Sequence, residues 1–192
     1  MATPVQTRPD KPTIRELITA EEFAEMTWIG RAELVEGRII EMPPPKSKHG
    51  RCEHKFALRI GVFVEMHNLG IVMSGENGVL VRRNPDTVRG TDVTFISHER
   101  WAKQPDPDGY LELAPDLIVE VLSPNDSMST VMTKLREYFA IGVRLVWVAD
   151  TEANIVYAYR SPTDVREFKD VEQLPGDEVL AGFEVGVREL FE

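Results

Sequence analysis

The amino-acid sequence predicts an α/β fold in which a mixed β-sheet is flanked by helices. Residues 117–122 form a nearly continuous apolar run, which is typical of a strand covered on both faces. An apolar stripe at helical spacing follows over 128–141 and ends at Gly142, and a second buried strand is predicted over 145–149. This order predicts a βαβ unit with parallel strands and a right-handed crossover, and residues 154–159 are expected to pair beside it.

The first part of the chain predicts a short helix and a pair of β segments that extend this fold. Residues 19–22 (TAEE) have the form of a capping box, which marks the start of a helix. Residues 33–40 (ELVEGRII) are typical of two short β segments, with Glu36 and Gly37 in the tight turn between them. The three prolines at 43–45 then exclude regular structure.

The middle of the chain predicts one long helix followed by three strands. Apolar residues recur at helical spacing over 49–69, and Gly70 is suited to the end of that helix. The segments 71–74, 79–83 and 93–97 are predicted as strands.

Composition bounds the domain count and the compartment. With 192 residues, 42% of them hydrophobic, the chain is long enough for one core, so we expect one domain over 14–192 after a disordered lead at 1–13. Cys52 is the sole cysteine, which fits a reducing compartment. No apolar run reaches the roughly 20 residues of a membrane span, so a cytoplasmic or nucleoid-associated location without membrane contact is expected.

The charge of the chain weighs against avid nonspecific DNA binding. The net charge is −10 and the isoelectric point is near 5.0, whereas such binding depends on Lys and Arg contacts to phosphate. Divalent cations held by carboxylates can reverse the local field, so a nuclease is not excluded.

Three charged residues stand out by their positions in the pattern. Asp92 begins a predicted strand, Glu120 lies inside the most apolar run of the chain, and Lys134 lies at the edge of the next helix's apolar stripe. A buried ionised carboxylate is costly unless it is paired or bound to a cation, so Glu120 requires a partner. A metal ion or Lys134 could be that partner. From the residues alone, two structural interpretations also stay open: an ion pair for Glu120 and a turn position for Asp92.

Several segments, in order along the chain, resemble the Uma2 family (DUF820) of the PD-(D/E)XK nuclease superfamily. Residues 33–44 (ELVEGRIIEMPP) resemble the opening signature of the family, and His49 follows at its usual place. Residues 92–97 (DVTFIS) and 114–124 (APDLIVEVLSP) resemble two further motifs. A fourth match comprises Lys134, Glu137-Tyr138, Gly142-Val143 and Trp147. The resemblance runs from about Thr19 to the end of the chain.

The resemblance implies a restriction endonuclease-like fold and a metal-dependent endonuclease that hydrolyses phosphodiester bonds in DNA. Asp92 corresponds to the first motif carboxylate and Glu120 to the acidic residue of the (D/E)XK motif. Leu122 stands where the superfamily has lysine, and the family pattern assigns that role to Lys134. Thr91 stands where proline usually precedes the aspartate.

By the same resemblance, Mg²⁺ or Mn²⁺ would be held by Asp92, Glu120 and the backbone carbonyl of Val121. The metal would activate water, and Lys134 would orient that water or the phosphate. Two further residues are candidates of lower rank. Glu33 would be an added ligand or supporting group unless it lies on a solvated face, and His49 would belong to the site unless it is an exposed histidine near a helix start.

Two other function classes remain open at this point. One is a catalytically inactive nucleic-acid-binding or regulatory module of the same fold, and the other is an interaction protein whose charged residues pair structurally. A homodimer is also expected, because two sites related by a two-fold axis suit an antiparallel duplex. Leu180, Phe183 and Phe191 are the residues proposed for its interface.

Overall fold

The computed structural model describes residues 17–123 and 126–192. The predicted lead at 1–13 and the loop residues Pro124 and Asn125 lie outside the described residues. The helices are α1 (Ala20–Ala24), α2 (Ser47–His67), α3 (His98–Trp101), α4 (Met128–Ile141) and α5 (Val187–Phe191). None of the helices in these two ranges is both long and apolar enough to cross a membrane.

In the described residues, eight strands form one mixed sheet and two more form a hairpin. The strands are β1 (Ala32–Val35), β2 (Arg38–Glu41), β3 (Gly70–Arg82), β4 (Thr87–Ser97), β5 (Leu117–Val121), β6 (Leu145–Asp150), β7 (Ile155–Tyr159), β8 (Val165–Lys169), β9 (Gln173–Pro175) and β10 (Glu184–Gly186). The sheet order is β2-β1-β4-β5-β6-β7-β8, with β3 paired to β4, and β9 pairs with β10. Strands β5 and β6 are parallel while the other pairs are antiparallel, which confirms the predicted mixed sheet.

The sheet is covered on both faces because its central strands are apolar on both. In β5, Val119 packs in the core that includes Phe56 of α2, whereas Ile118 packs in the core that includes Leu135 of α4. Helix α2 buries residues spaced four apart, including Phe56 and Ile60, so one face of the helix lies against the sheet. The two helices therefore lie over opposite faces of β5, as the continuous apolar run predicts.

The structure confirms the predicted start of α1 and the predicted C-terminal end of α4, and it corrects the predicted C-terminal end of α2. Thr19 and Glu22 form the capping box of α1, and Gly142 ends α4 in the left-handed conformation. Helix α2 ends at Asn68, also left-handed, and Gly70 begins β3 instead. A Cβ on Gly70 would lie 2.0 Å from the carbonyl oxygen of Ile96, so close strand pairing explains this glycine.

Strand β3 replaces the two separate strands predicted at 71–74 and 79–83. The ladder with β4 runs from Ser74 opposite Val93 to Asn77 opposite Thr91, so β3 has an extra residue between them. Gly75 and Glu76 in this bulge both have positive φ. The interruption that separates the two predicted strands is therefore a bulge inside one strand.

Strand β4 begins six residues before the predicted start at Val93, so Asp92 lies inside the strand and not at its beginning. One edge of β4 pairs with β3 along its length. The other edge pairs with β1 at Val88 and with β5 from Val93 to Phe95. Asp92 lies between these two ladders, which excludes the turn interpretation and leaves its side chain beside the end of β5.

The C-terminal segment packs inside the molecule. Leu180 is fully buried and Phe183 is nearly so, both in the core that α2 covers, and Phe191 is packed against the same core. The proposed role of Leu180 and Phe183 in a dimer interface is therefore wrong, because their side chains are already used within the chain.

Candidate functional site

Asp92 is a buried carboxylate held from two sides. Its Oδ2 accepts a hydrogen bond of 2.6 Å from the backbone N–H of Val121 at the end of β5. Its Oδ1 lies 3.4 Å from Nε2 of His49 on α2. Burial opposes ionisation, yet the contact with His49 and the Val121 amide hold the pKa of Asp92 below its usual value. Asp92 is therefore an anion fixed in place at neutral pH.

His49 and Glu53 present side chains to Asp92 from one face of α2. His49 is buried, and its Nδ1 lies 3.9 Å from Oε2 of Glu53 without a hydrogen-bond partner among the described residues. Oε1 of Glu53 accepts a hydrogen bond of 2.9 Å from the N–H of Gly75 in the β3 bulge. One ligand atom from each of His49, Glu53 and Asp92 lies within 4.8 Å of the others. We call these three residues the histidine cluster.

An arginine and a further glutamate border the histidine cluster. Arg31 forms an ion pair with Glu76, and its Nη2 lies 3.9 Å from Oδ1 of Asp92. Burial raises the pKa of Glu76, and the Asp92 charge adds to that rise while Arg31 opposes it. Burial also raises the pKa of Glu53, and the negative charge of Asp92 adds to that rise.

Glu120 lies on the α4 side of β5 and has a partner on each oxygen. Lys134 Nζ donates to Oε2 at 3.0 Å, and the Tyr138 hydroxyl donates to Oε1 at 2.5 Å. Burial raises the pKa of Glu120 to about 7, and the nearby Asp92 carboxylate contributes to the rise although Lys134 opposes it. Burial also raises the pKa of Tyr138 well above its usual value, so its hydroxyl stays a donor to Glu120.

Glu33 extends this arrangement to β1. Its Oε1 lies 2.9 Å from Lys134 Nζ, and its Oε2 accepts a 2.8 Å hydrogen bond from Arg89. Arg89 also donates to Glu137 at 2.7 Å. We call Glu33, Glu120 and Lys134 the lysine cluster. Because each charge in it has an opposite partner, the cluster is an ion-pair network inside the fold.

The sequence-predicted residues thus lie in two adjoining clusters. Glu33, Glu120 and Lys134 share direct contacts, and so do Asp92 and His49. The clusters meet at β5, where Val121 bonds Asp92 and the preceding residue is Glu120. Glu120 is not among the three residues whose ligand atoms lie within 4.8 Å of one another.

Both lower-ranked candidates are buried, which excludes the alternatives raised for them. Glu33 is 4% exposed, so it does not lie on a solvated face, and His49 is 5% exposed, so it is not a surface histidine. Sequence reasoning missed Glu53, Glu76 and Tyr138. Glu53 follows His49 by four positions on the predicted helix, and that spacing is the signal that could have found it.

The fold is similar to that of a solved structure of another protein. The crystal structure of "a putative nuclease belonging to DUF820" from Anabaena variabilis superposes with a TM-score of 0.73 at 22% identity. The match covers 91% of this chain and 97% of the other. No curated protein matches the chain significantly. The similarity confirms the predicted nuclease-type α/β fold.

The sequence match identifies the family. A sequence model of Uma2, described as "Putative restriction endonuclease", matches residues 20–188. The chain belongs to the Uma2 family. This confirms the resemblance drawn from the motifs and indicates a nuclease-like protein.

Proposed function

We propose that this chain is a divalent-metal-dependent endonuclease that hydrolyses phosphodiester bonds in DNA, with Asp92, Glu120 and Lys134 at its centre. The observation that carries the proposal is the contact between Lys134 and Glu120. Lys134 lies on α4, fourteen positions after Glu120 in the sequence. Its Nζ nevertheless lies 3.0 Å from the Glu120 carboxylate. A lysine beside this carboxylate is what the (D/E)XK arrangement requires, although Leu122 occupies the usual lysine position.

The donor atoms near Asp92 fit a hard divalent cation such as Mg²⁺ or Mn²⁺. Asp92 Oδ2 is bonded to the Val121 N–H, and the N–H and C=O of one strand residue point to the same side. The Val121 carbonyl therefore faces the side of β5 on which Asp92 lies. Each Glu120 oxygen has one partner and retains a second lone pair. Asp92, Glu120 and the Val121 carbonyl supply the oxygen ligands that these cations prefer.

When bound, the cation would generate a hydroxide nucleophile and neutralise charge on the phosphate. Lys134 would hold its ammonium beside the phosphate, where negative charge develops during attack. Glu33, at 2.9 Å from Lys134 Nζ, is a positioning residue for that ammonium. The backbone N–H of Val121 positions the Asp92 carboxylate through its hydrogen bond to Oδ2, and His49 lies 3.4 Å from Oδ1 on the other side.

The same contacts favour one competing function, a catalytically inactive nucleic-acid-binding or regulatory module. Both oxygens of Glu120 already have protein partners, and all three members of the lysine cluster are paired. In such a module the cluster would only stabilise the fold. Binding of duplex DNA without cleavage under any divalent cation would favour this alternative.

The test of the proposal is nicking of supercoiled plasmid DNA by wild type and Asp92→Asn, in Mg²⁺ or Mn²⁺. Asp92→Asn should lose activity by at least about 100-fold, because it removes a ligand charge without changing side-chain size. Asp108→Asn is the matched control, since Asp108 is exposed in a loop and belongs to neither cluster. Equal nicking by wild type and Asp92→Asn would refute the assignment.

We also propose that the protein acts in the cytoplasm as a homodimer, whose interface is not formed by Leu180 or Phe183. Two protomers would present two sites to the two strands of a duplex. Light scattering should give twice the chain mass of 21.7 kDa, and a monomer at assay concentration would contradict the dimer.

A further inference from the structure

The histidine cluster has the donor set of a transition-metal site. His49 and Glu53 are one helical turn apart on α2, so both side chains reach the same point on the sheet. Asp92 meets them from β4, and one ligand atom of each lies within 4.8 Å of the others. Three atoms bound tetrahedrally to one ion at about 2.2 Å lie about 3.6 Å from one another, so side-chain shifts of up to about 1 Å would close the site on an ion.

We propose that His49, Glu53 and Asp92 bind a divalent transition-metal ion, for which Mn²⁺ is the test probe. This site goes beyond the proposed function, which uses oxygen ligands from Asp92, Glu120 and Val121. It shares only Asp92 with that set and does not depend on DNA cleavage.

The first support is an unsatisfied nitrogen. The His49 side chain is 6% exposed, and its Nδ1 has no hydrogen-bond partner among the described residues. The two ring nitrogens lie 3.9 Å from Glu53 and 3.4 Å from Asp92, both longer than a usual hydrogen bond. An imidazole nitrogen bound to a cation would no longer be a buried polar atom without a partner.

The second support is the orientation of the carboxylates. The backbone N–H of Gly75 holds Oε1 of Glu53, and the backbone N–H of Val121 holds Oδ2 of Asp92. Each bond leaves the other oxygen, Oε2 of Glu53 and Oδ1 of Asp92, on the His49 side. The backbone therefore orders two oxygen ligands before any ion binds.

The local charge also suits a divalent cation. Arg31 is the neighbouring cation, at 3.9 Å from Oδ1 of Asp92, and it is engaged by Glu76. When the His49 imidazole is neutral, the carboxylates of Glu53, Asp92 and Glu76 carry −3 and the Arg31 guanidinium carries +1. The net charge is therefore −2. Imidazole is a common ligand of first-row transition ions, whereas Mg²⁺ prefers oxygen ligands and retained water. The site should therefore favour Mn²⁺, Co²⁺ or Zn²⁺ over Mg²⁺.

The experiment measures Mn²⁺ binding by calorimetry and by pulsed electron paramagnetic resonance of the full chain. His49→Gln and Glu53→Gln should each weaken Mn²⁺ binding by at least about tenfold. His54→Gln and Glu65→Gln are matched controls on exposed positions of α2 and should bind as wild type does. Mn²⁺ bound to the wild type and to Glu120→Gln should show coupling to a ¹⁴N nucleus.

The spectroscopic result holds even if His49→Gln fails to fold, because it is read on the wild type. Bound Mn²⁺ without nitrogen coupling, or His49→Gln binding within twofold of wild type, would overturn this inference and leave the nuclease proposal standing. Nitrogen-coupled Mn²⁺ in a protein that cleaves no DNA would support this metal site and contradict the nuclease proposal. Absence of any Mn²⁺ binding would overturn both this site and the proposed use of Mn²⁺ by the nuclease.

Discussion

At the residue scale, Lys134 connects structure and proposed chemistry because it contacts both Glu33 and Glu120. Lys134→Ala removes the ammonium but leaves Asp92 and the Val121 backbone unchanged. We predict a fall in the DNA cleavage rate of at least about 100-fold, with Mn²⁺ affinity within a few fold of wild type. Plasmid nicking and calorimetry measure the two quantities.

Lys103→Ala is the control for that change, because Lys103 pairs with Glu99 on the surface. It should cleave as wild type does. If Lys134→Ala instead unfolds while Lys103→Ala does not, Lys134 serves chiefly as a structural ion-pair partner, and the inactive-module alternative gains support.

The Glu120 carboxyl predicts a specific pH dependence of stability. Its pKa is raised by burial from 4.5 to about 7 in the folded chain, so the folded state binds this proton more tightly. The resulting stabilisation is complete below pH 4.5 and is lost as the pH rises through about 7. Relative to Glu120→Gln, wild type should therefore lose roughly 2–3 kcal/mol of unfolding free energy between pH 5 and pH 8.

Urea denaturation of both proteins in EDTA measures this difference without bound metal. A difference between wild type and Glu120→Gln that stays constant from pH 5 to pH 8 would show that the carboxyl titrates with an ordinary pKa. The pairing with Lys134 would then outweigh burial.

At the scale of elements, the close packing of β3 against β4 requires a residue without a side chain at position 70. A Cβ there would lie 2.0 Å from the Ile96 carbonyl oxygen. Gly70→Ala should therefore reduce the unfolding free energy by roughly 1–3 kcal/mol, because backbone atoms must shift. Gly61→Ala on α2 is the matched control: no atom lies within 4 Å of its added Cβ, and it should stabilise by up to about 1 kcal/mol.

Chemical denaturation measures both variants. A Gly70→Ala protein as stable as wild type would mean that the start of β3 is not held tightly against β4.

The elements that sequence predicts well are those with local signals. The βαβ unit follows from two apolar runs and a helical stripe, and the Thr19 capping box defines the start of α1. The course of β3 has no such local signal, since its two halves join through a bulge at Gly75 and Glu76 that depends on pairing with β4. For the same reason the sequence pattern predicts Asp92 at the start of a strand and not inside one.

The sequence predicts which residues belong to the candidate site, but it does not predict which of them contact one another. The motif resemblance named Asp92, Glu120 and Lys134, and the apolar run around Glu120 required a partner. Which residue would partner which carboxylate depends on the gap between the β1 and β5 ladders along β4, which no local pattern encodes. Glu53 was missed because its role requires His49 to be buried.

At the scale of the whole molecule, the net charge of −10 opposes DNA binding. The metal-free protein should therefore bind duplex DNA weakly, and Mg²⁺ or Mn²⁺ should raise the affinity by about tenfold because the cation reverses the field near Asp92. Glu120→Gln removes one negative charge, so it should bind DNA somewhat better than wild type without metal and still fail to cleave with metal. Fluorescence anisotropy measures binding on a labelled duplex.

Tight DNA binding by wild type in EDTA would contradict this electrostatic account. Equal binding by wild type and Glu120→Gln without metal would show that repulsion near β5 does not limit the association.

The central claim is that a divalent cation switches on hydrolysis of DNA by this chain. The most direct measurement incubates EDTA-treated wild type with supercoiled plasmid and then adds Mg²⁺ or Mn²⁺ in excess of the chelator. We predict that nicked DNA forms only after the cation is added and that further EDTA stops its formation. Failure to nick DNA with any divalent cation, or nicking that continues in EDTA, would contradict it.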